Sequence, residues 1–405
     1  MMRDGNMYGE GETAAMEGDA YDRLYPYHAE LCALSELRKK PGFGVPVRSG
    51  MGGHCLLYLN GVRRDRIGYP TLKVCAPGEA PARNGVGISV NSHYRNANWV
   101  AAEGREFLWR GALQPGERLT REAYERTQDR AKEIGLLDGV QFHDHLFRAK
   151  PHGMSERDYM YEISVATDYA VHFGRDTYHA RIPLDYERML SIVAYLNNLN
   201  APYRDGERVF RWRLFNNNCV HVVHNALAEA GIWAPWPTGQ FSALAMFNFP
   251  VPKNEFVDLM LRANDLPIHN ARAIHDDHLV RRTFSQTGIL PTAPGALAVV
   301  GAAIRDNDVY DTERLRLIFY ENPFWGPYRR HFARIFAEPR YTDLRANLRH
   351  FAAIYEAALR SRAGDGAAGP FEASYHHYIA REAERVRAQL ASLDQATELL
   401  EEAVS

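Results

Sequence analysis

Only four of the 405 residues are cysteine (Cys32, Cys55, Cys75 and Cys219), and no two of them stand in C-x-x-C spacing. That excludes a disulfide framework and a cysteine-based zinc site as organising devices. No run of about 18 or more apolar residues occurs, so no membrane-spanning helix is expected. The opening residues, MMRDGNMYGEGETAAMEGDA, are acidic and polar and lack the charged-then-apolar order of a secretory leader. The expected compartment is therefore a reducing cytoplasm, where a thiolate stays available, with signal-less export left open. Charge of one sign is missing too: 48 Lys and Arg stand against 50 Asp and Glu, interspersed, for a formal net charge of −2. No basic arm is present to hold nucleic acid. Neither G-x-x-x-x-G-K-[ST] nor G-x-G-x-x-G appears, so nothing points to a nucleotide, and no cofactor is expected. There is no internal repeat and no low-complexity tract. What remains is a chain of ordinary hydrophobic content, long enough for a large core.

Read in order, residues 1–50 form an N-terminal segment, disordered over its first 20 residues, with a short helix at 21–40 carrying Leu24, Leu31, Leu34 and Leu37. A small antiparallel sheet follows from about residue 54 to 112. Its first strand, HCLLYLNGV, ends in Asn60-Gly61, a favoured hairpin pair. GVGISVN gives a second strand, and NWVAAEGREFLWR one or two more. From Pro115 the period turns helical: LTREAYERTQDRAKEIGLL and DYERMLSIVAYLNNLN are amphipathic, and FPVPKNEFVDLMLRAND starts a helix at its prolines. Residues 256–360 read as mixed and helical, and 361–370 as a linker by composition. Residues 371–405 form one long helix. Its apolar seam, Tyr375, Ile379, Ala383, Val386, Leu390, Leu393, Ala396 and Leu400, packs on a helix of this chain or of a partner. The fold class is α+β, a small antiparallel sheet with a helical C-terminal region.

The stretch FNNNCVHVVHNALAEAGI, residues 215–232, organises the rest. Asn is a favoured N-cap and Gly231 a usual stop, so a helix begins at or just before Cys219. Unpaired N–H groups and the macrodipole at that end favour thiolate over thiol. A buried cysteine that only fills core is the plain alternative. A thiolate nucleophile needs a base, and the base needs a group to orient it. His54, where a Gly-rich loop enters the first strand, is the candidate base; a satisfied strand-edge histidine is its plain reading.

Gly53-His54 ahead of a hydrophobic strand, followed much later by Asn217-Asn218-Cys219-Val220-His221, resembles the permuted branch of the NlpC/P60-like cysteine hydrolases. That branch contains the lecithin–retinol acyltransferase-like and PPPDE-type families. The resemblance implies a papain-like core within residues 51–255, Cys219 as nucleophile and His54 as base. It covers two short blocks, and it makes residues 113–210 largely insertion. His93, in SVNSHYRN, is the expected third group, with Asn96 and Asn98 as alternatives. The backbone N–H of Cys219 with Asn217 or Asn218 would form an oxyanion hole, although the asparagines can equally be caps. Arg175 and Asn96 are candidates for a substrate cleft, and Thr167-Asp168-Tyr169 lies in the same mixed region.

A metal reading competes. Cys219, His221 and His224 make C-x-H-x-x-H, with HDH at 143–145 and HDDH at 275–278 beside it. On one helix Cys219 and His221 diverge by about 200°, so no metal is expected there. The expected activity is a cysteine hydrolase or acyltransferase acting on an amide, thioester or ester, its substrate a small-molecule, peptide or lipid acyl group. The alternatives are a non-catalytic binding or scaffold protein that meets a partner through helix 371–403, and a toxin-type effector peptidase or amidase.

Overall fold

The segment HAELCAL, read as helix from its leucine spacing, is instead the strand β1 (His28–Leu34), buried along its whole length. It lies near the middle of a six-stranded antiparallel sheet. A computed structural model describes residues 20–47, 53–65, 68–79, 85–214, 217–237, 251–313, 315–321, 326–361 and 370–404. The expected disorder of residues 1–19 lies outside these, as does most of the 361–370 linker.

The sheet runs β6-β5-β2-β1-β7-β8, with β2 (His54–Asn60), β5 (Val86–Ser89), β6 (Val100–Glu103), β7 (Thr177–Pro183) and β8 (Leu297–Gly301). It is thus wider than the expected sheet of residues 54–112, and the region expected to be insertion supplies β7. Asn60-Gly61 does not close a hairpin. Gly61 takes a positive φ of 78°, and β3 (Val62–Arg64) turns off to pair with β4 (Leu72–Val74) as a separate ribbon. After β6, the stretch read as strand becomes the helix α1 (Arg105–Arg110). The HDH stretch, whose alternation suits a strand, runs into a 3₁₀ turn at Asp144–Ala149.

Alternation along the strands sets the two faces. One face of β1 presents Ala29, Leu31 and Ala33, and the facing residues of β2 and β7 include Cys55 and Tyr178. Here pack α5 (Cys219–Glu229) and α6 (Pro252–Asn264); Phe256 of α6 meets the Tyr178 ring at 6.5 Å. The other face presents His28, Glu30 and Cys32, with Tyr58 and His179 alongside, and is covered by Trp109 of α1. A central strand with polar residues on one side looks helical because its polar side is not solvated; it is buried in a charge network described below.

The remaining helices are α2 (Arg121–Glu133), capped by Thr120, α3 (Glu156–Ser164), α4 (Tyr186–Arg204), α7 (Ala271–Asp276), α8 (His278–Thr287), α9 (Tyr328–Ala337), α10 (Leu344–Ser361) and α11 (Pro370–Val404). The long C-terminal helix lays Tyr375, Ile379, Ala383, Val386 and Leu393 into a second core with Leu348, Phe351 and Phe284. The seam is therefore covered by this chain's own α10 and α8; the side chains of Ala396 and Leu400 lie outside the described residues. Among the described residues no helix is long and apolar enough to cross a membrane.

Candidate active site

Cys219 is the first residue of α5. Asn218 caps that helix: its Oδ1 accepts from the His221 N–H at 3.1 Å and meets His221 Nδ1 at 2.9 Å, and its Nδ2 donates to Leu214 O at 2.6 Å. Asn217 donates from Nδ2 to Arg211 O at 3.2 Å. Both amides thus hold the loop and the helix start, and the side chain expected to complete an oxyanion hole is spent on structure. Cys219 is buried, and burial pushes its thiol above the ordinary value. The N–H groups of Cys55, Val220 and Cys219 itself, and the Lys253 ammonium, pull the other way without overcoming that. The expectation of a resting thiolate is corrected: desolvation outweighs the helix end.

His54 opens β2, opposite Leu34 at the end of β1. Its Nε2 meets Ser89 Oγ at 3.1 Å, and Ser89 Oγ donates to Asp168 Oδ1 at 2.6 Å. All three groups are buried, Ser89 and Asp168 completely. Burial first, then the charges of Arg175, Lys253 and His93, bring His54 down to about 3, so its ring is neutral at ordinary pH. No hydrogen bond joins Cys219 to His54. The sulfur takes the N–H of Cys55, the next residue along, while both groups feel Lys253. The sulfur thus meets β2 at Cys55, while alternation turns the His54 ring to the face of Ser89, and the charge of Lys253 acts on both groups.

His93, the expected third group, makes no hydrogen bond to the His54 ring. That imidazole lies tilted against Phe142, ring centres 5.7 Å apart, and its buried Nδ1 has no hydrogen bond among the described residues. The groups that bond the His54 ring, directly and in series, are Ser89 and Asp168. Ser89 carries a legible signal: on β5, beside β2, it shares the face of His54 by alternation. Asp168 carries a weaker one, a single carboxylate inside the apolar run SVATDYAVHF. Ala166 and Ala170, on either side of it, adopt left-handed φ of 59° and 51°. Such a backbone costs about 1–3 kcal/mol per residue in an L-amino acid. Arg175 pays part of that cost, donating from Nε to Ala166 O at 2.7 Å and from Nη1 to Ser35 O at 2.6 Å. Arg175 is 1% exposed, so it positions the Asp168 turn and lines no cleft. Asn96 is spent likewise, donating to Gly139 O at 2.9 Å and accepting from Gln141 N at 2.7 Å. Asn98 is buried with its N–H on Asn200 Oδ1, at 2.7 Å, remote from the His54 ring's bonds.

Lys253, in the first turn of α6, escaped the sequence reading. Its ammonium donates to Leu34 O and reaches the strand ends because Gly53, with φ of 77°, has no Cβ to overlap it. Burial and the neighbouring Arg175 bring Lys253 down to about 7.

The metal reading of α5 finds its imidazoles engaged. His224 bonds Glu255 Oε1 at 2.5 Å and Ala234 O at 2.9 Å, stacked between Trp233 and Trp236. Elsewhere, Glu30, Cys32 and His179 bring ligand-type atoms within 4.8 Å of one another. Two guanidiniums already occupy that carboxylate, Arg105 at 2.6 Å and Arg181 at 3.0 Å, with His179 Nδ1 at 2.7 Å. The cluster is balanced by arginine, so it reads as a buried ion-pair network.

The buried imidazoles have a consequence for acid stability. His54 and His172 are held down to about 3 against an ordinary 6.5, each by burial first. Between those values the unfolded chain binds protons that the folded chain does not, so folding stability falls as pH drops from about 6.5 toward 3. Urea unfolding is expected to show a midpoint clearly lower at pH 4.5 than at pH 7; an unchanged midpoint would deny that these rings are buried neutral.

No known protein family matches the chain, and no curated protein and no solved structure matches it significantly.

Proposed function

We propose that this chain is a cysteine-dependent acyl-transfer enzyme, a hydrolase or acyltransferase for an amide, thioester or ester, of the permuted NlpC/P60-like, papain-like kind. One observation carries the reading: three residues distant in sequence, His54, Ser89 and Asp168, form a buried hydrogen-bonded relay at the strand end where Cys219 opens its helix. Buried polar relays of that type orient an imidazole toward a proton-transfer task. With Nε2 engaged by Ser89, Nδ1 is the ring nitrogen left to take a proton.

The resting pair is a neutral thiol and a neutral imidazole. Cys219 Sγ attacks the carbonyl carbon as its proton passes to His54. The tetrahedral oxyanion forms beside the Cys219 and Val220 N–H groups, which face the sulfur, and the Lys253 ammonium, whose charge offsets it. The imidazolium then protonates the leaving group, and the acyl group remains on sulfur as a thioester. Water or another acceptor, deprotonated by His54, attacks that thioester and restores the thiol.

Ser89→Ala tests the relay without touching either reacting group. It is expected to lower turnover of activated esters on the order of 10- to 100-fold while KM moves little. Asp168→Asn should act in the same direction. A thiol-directed chloroacetamide probe should label the parent at Cys219 and label His54→Ala far more slowly. Equal labelling of parent, His54→Ala and Cys219→Ala would remove the proposal.

A further inference from the structure

A cavity of about 430 Å³, lined by none of Cys219, His54, Ser89, Asp168 and Lys253, lies between the turn after residue 24, the start of α4, residues 289–294 and the flank of α11. Its walls carry Arg188, Arg381 and Arg385 against the carboxylates of Asp185 and Glu382. The carboxylates are committed. Asp185 Oδ1 caps α4 by accepting the Arg188 N–H at 2.8 Å, and Glu382 Oε2 accepts from Arg385 Nε at 2.8 Å and Nη2 at 2.5 Å. Arg188 spends only Nε, on Ala230 O at 2.7 Å. Arg381 approaches Glu382 at 3.6 Å through Nε, and its side chain is 57% exposed. Among the described residues the terminal N–H groups of Arg188 and Arg381 thus remain without a hydrogen bond, the latter guanidinium lying over the Tyr378 ring, and the lining carries one cation in excess of its carboxylates.

Two further polar atoms of the lining are buried without a geometrically formed hydrogen bond among the described residues, Tyr25 Oη and Gln389 Oε1; the buried Thr292 hydroxyl faces those of Tyr355 and Tyr378 instead. Tyr25 is 4% exposed and Thr292 5%. The Tyr25 hydroxyl faces the Gln389 amide without hydrogen-bond geometry, and it lies against Gly295, whose positive φ of 94° and missing Cβ let it in. A buried polar atom without a partner costs about 1–3 kcal/mol, and a ligand that bonds both atoms would remove that cost. The apolar part of the wall, Leu24, Ile289, Pro294 and the Tyr378 ring, suits an organic moiety.

We propose that this cavity binds a small phosphate monoester. Guanidinium groups from α4 and α11 and the Tyr25 hydroxyl line the same cavity, and that donor set suits the several oxygens of a tetrahedral dianion better than a planar carboxylate. The Gln389 carbonyl faces the same space and accepts from a hydroxyl of the ester's organic part. Bound there, the ligand ties α11 to α4 and to the segment before β1, and it stabilises the fold by mass action.

The test is saturation binding of phenyl phosphate to the full chain, followed by calorimetry and by the thermal midpoint, with inorganic phosphate and benzoate as parallel arms. Phenyl phosphate is expected to bind saturably and raise the midpoint. Arg381→Met, a half-exposed position that folding tolerates, should weaken binding about 10-fold, and Tyr25→Phe several-fold. Absence of saturable phenyl phosphate binding by the parent would overturn the proposal, as would an affinity unchanged in both variants. Equal affinity for inorganic phosphate would assign the cavity to the free ion, and equal affinity for benzoate to any anion; each overturns the monoester reading.

Discussion

Replacing Cys219 by alanine is expected to leave a folded chain that turns over activated esters and thioesters on the order of 10³-fold more slowly, or not at all. The side chain is small and Asn218, not Cys219, caps the helix, so α5 keeps its start. Circular dichroism and the urea midpoint should stay near those of the parent. The other three thiols cannot substitute. Cys32 and Cys55 are pushed well up by burial, and Cys75, though nearer the surface, also lies above the ordinary value for the same reason. None of them stands at a helix start. Turnover undiminished in Cys219→Ala would place any activity elsewhere.

The largest effect on stability is expected at Glu30. Its carboxylate is wholly buried on β1 and is bonded by Arg105, Arg181 and His179, with His28 at 3.3 Å. Burial pushes this carboxyl up, but Arg105, Arg181 and the two imidazoles outweigh it and hold it well below the usual carboxylate range. Glu30→Gln preserves shape and removes the charge, leaving two guanidiniums facing each other in the interior. Breaking a buried pair of this kind costs about 3–5 kcal/mol, a large share of the roughly 5–15 kcal/mol that holds a typical domain together. The urea midpoint is expected to fall accordingly. A shift below about 1 kcal/mol would mean that water reaches the cluster and screens it.

That network also shows where sequence reasoning reached its limit. The helix starting at Cys219 and its asparagine cap were legible, because capping chemistry is local. So were α2 and α4, with their Thr120 and Asp185 caps, and strands β2 and β5. β1 was not, since Glu30 reads as a solvated position unless its arginine partners, 75 and 151 residues away, are known. β7 was hidden for the same reason: Thr177, His179 and Arg181 are polar, yet they face that same interior.

Cys219 and His54 are candidates through residue order and element position. The resemblance points to His93, with Asn96 and Asn98 as alternatives, because the permuted branch often has a histidine there, yet the register of β5 on β2 puts Ser89 beside the ring. Asp168 and Lys253 depend on tertiary closure. One is placed by a strained turn that Arg175 holds, the other by the space a glycine leaves at residue 53. The thiol's raised pKa could not be read from the helix start alone, because it depends on how completely the fold excludes water there.

The account stands on acylation of one sulfur. The direct measurement is to mix the full chain with an activated acyl thioester, quench early, and map the adduct by peptide mass spectrometry. The result predicted is a single acyl group on Cys219 that forms quickly in the parent, slowly in Ser89→Ala and scarcely in His54→Ala. An adduct on Cys75 or on surface lysines, with Cys219 unmodified in the folded protein, would contradict it.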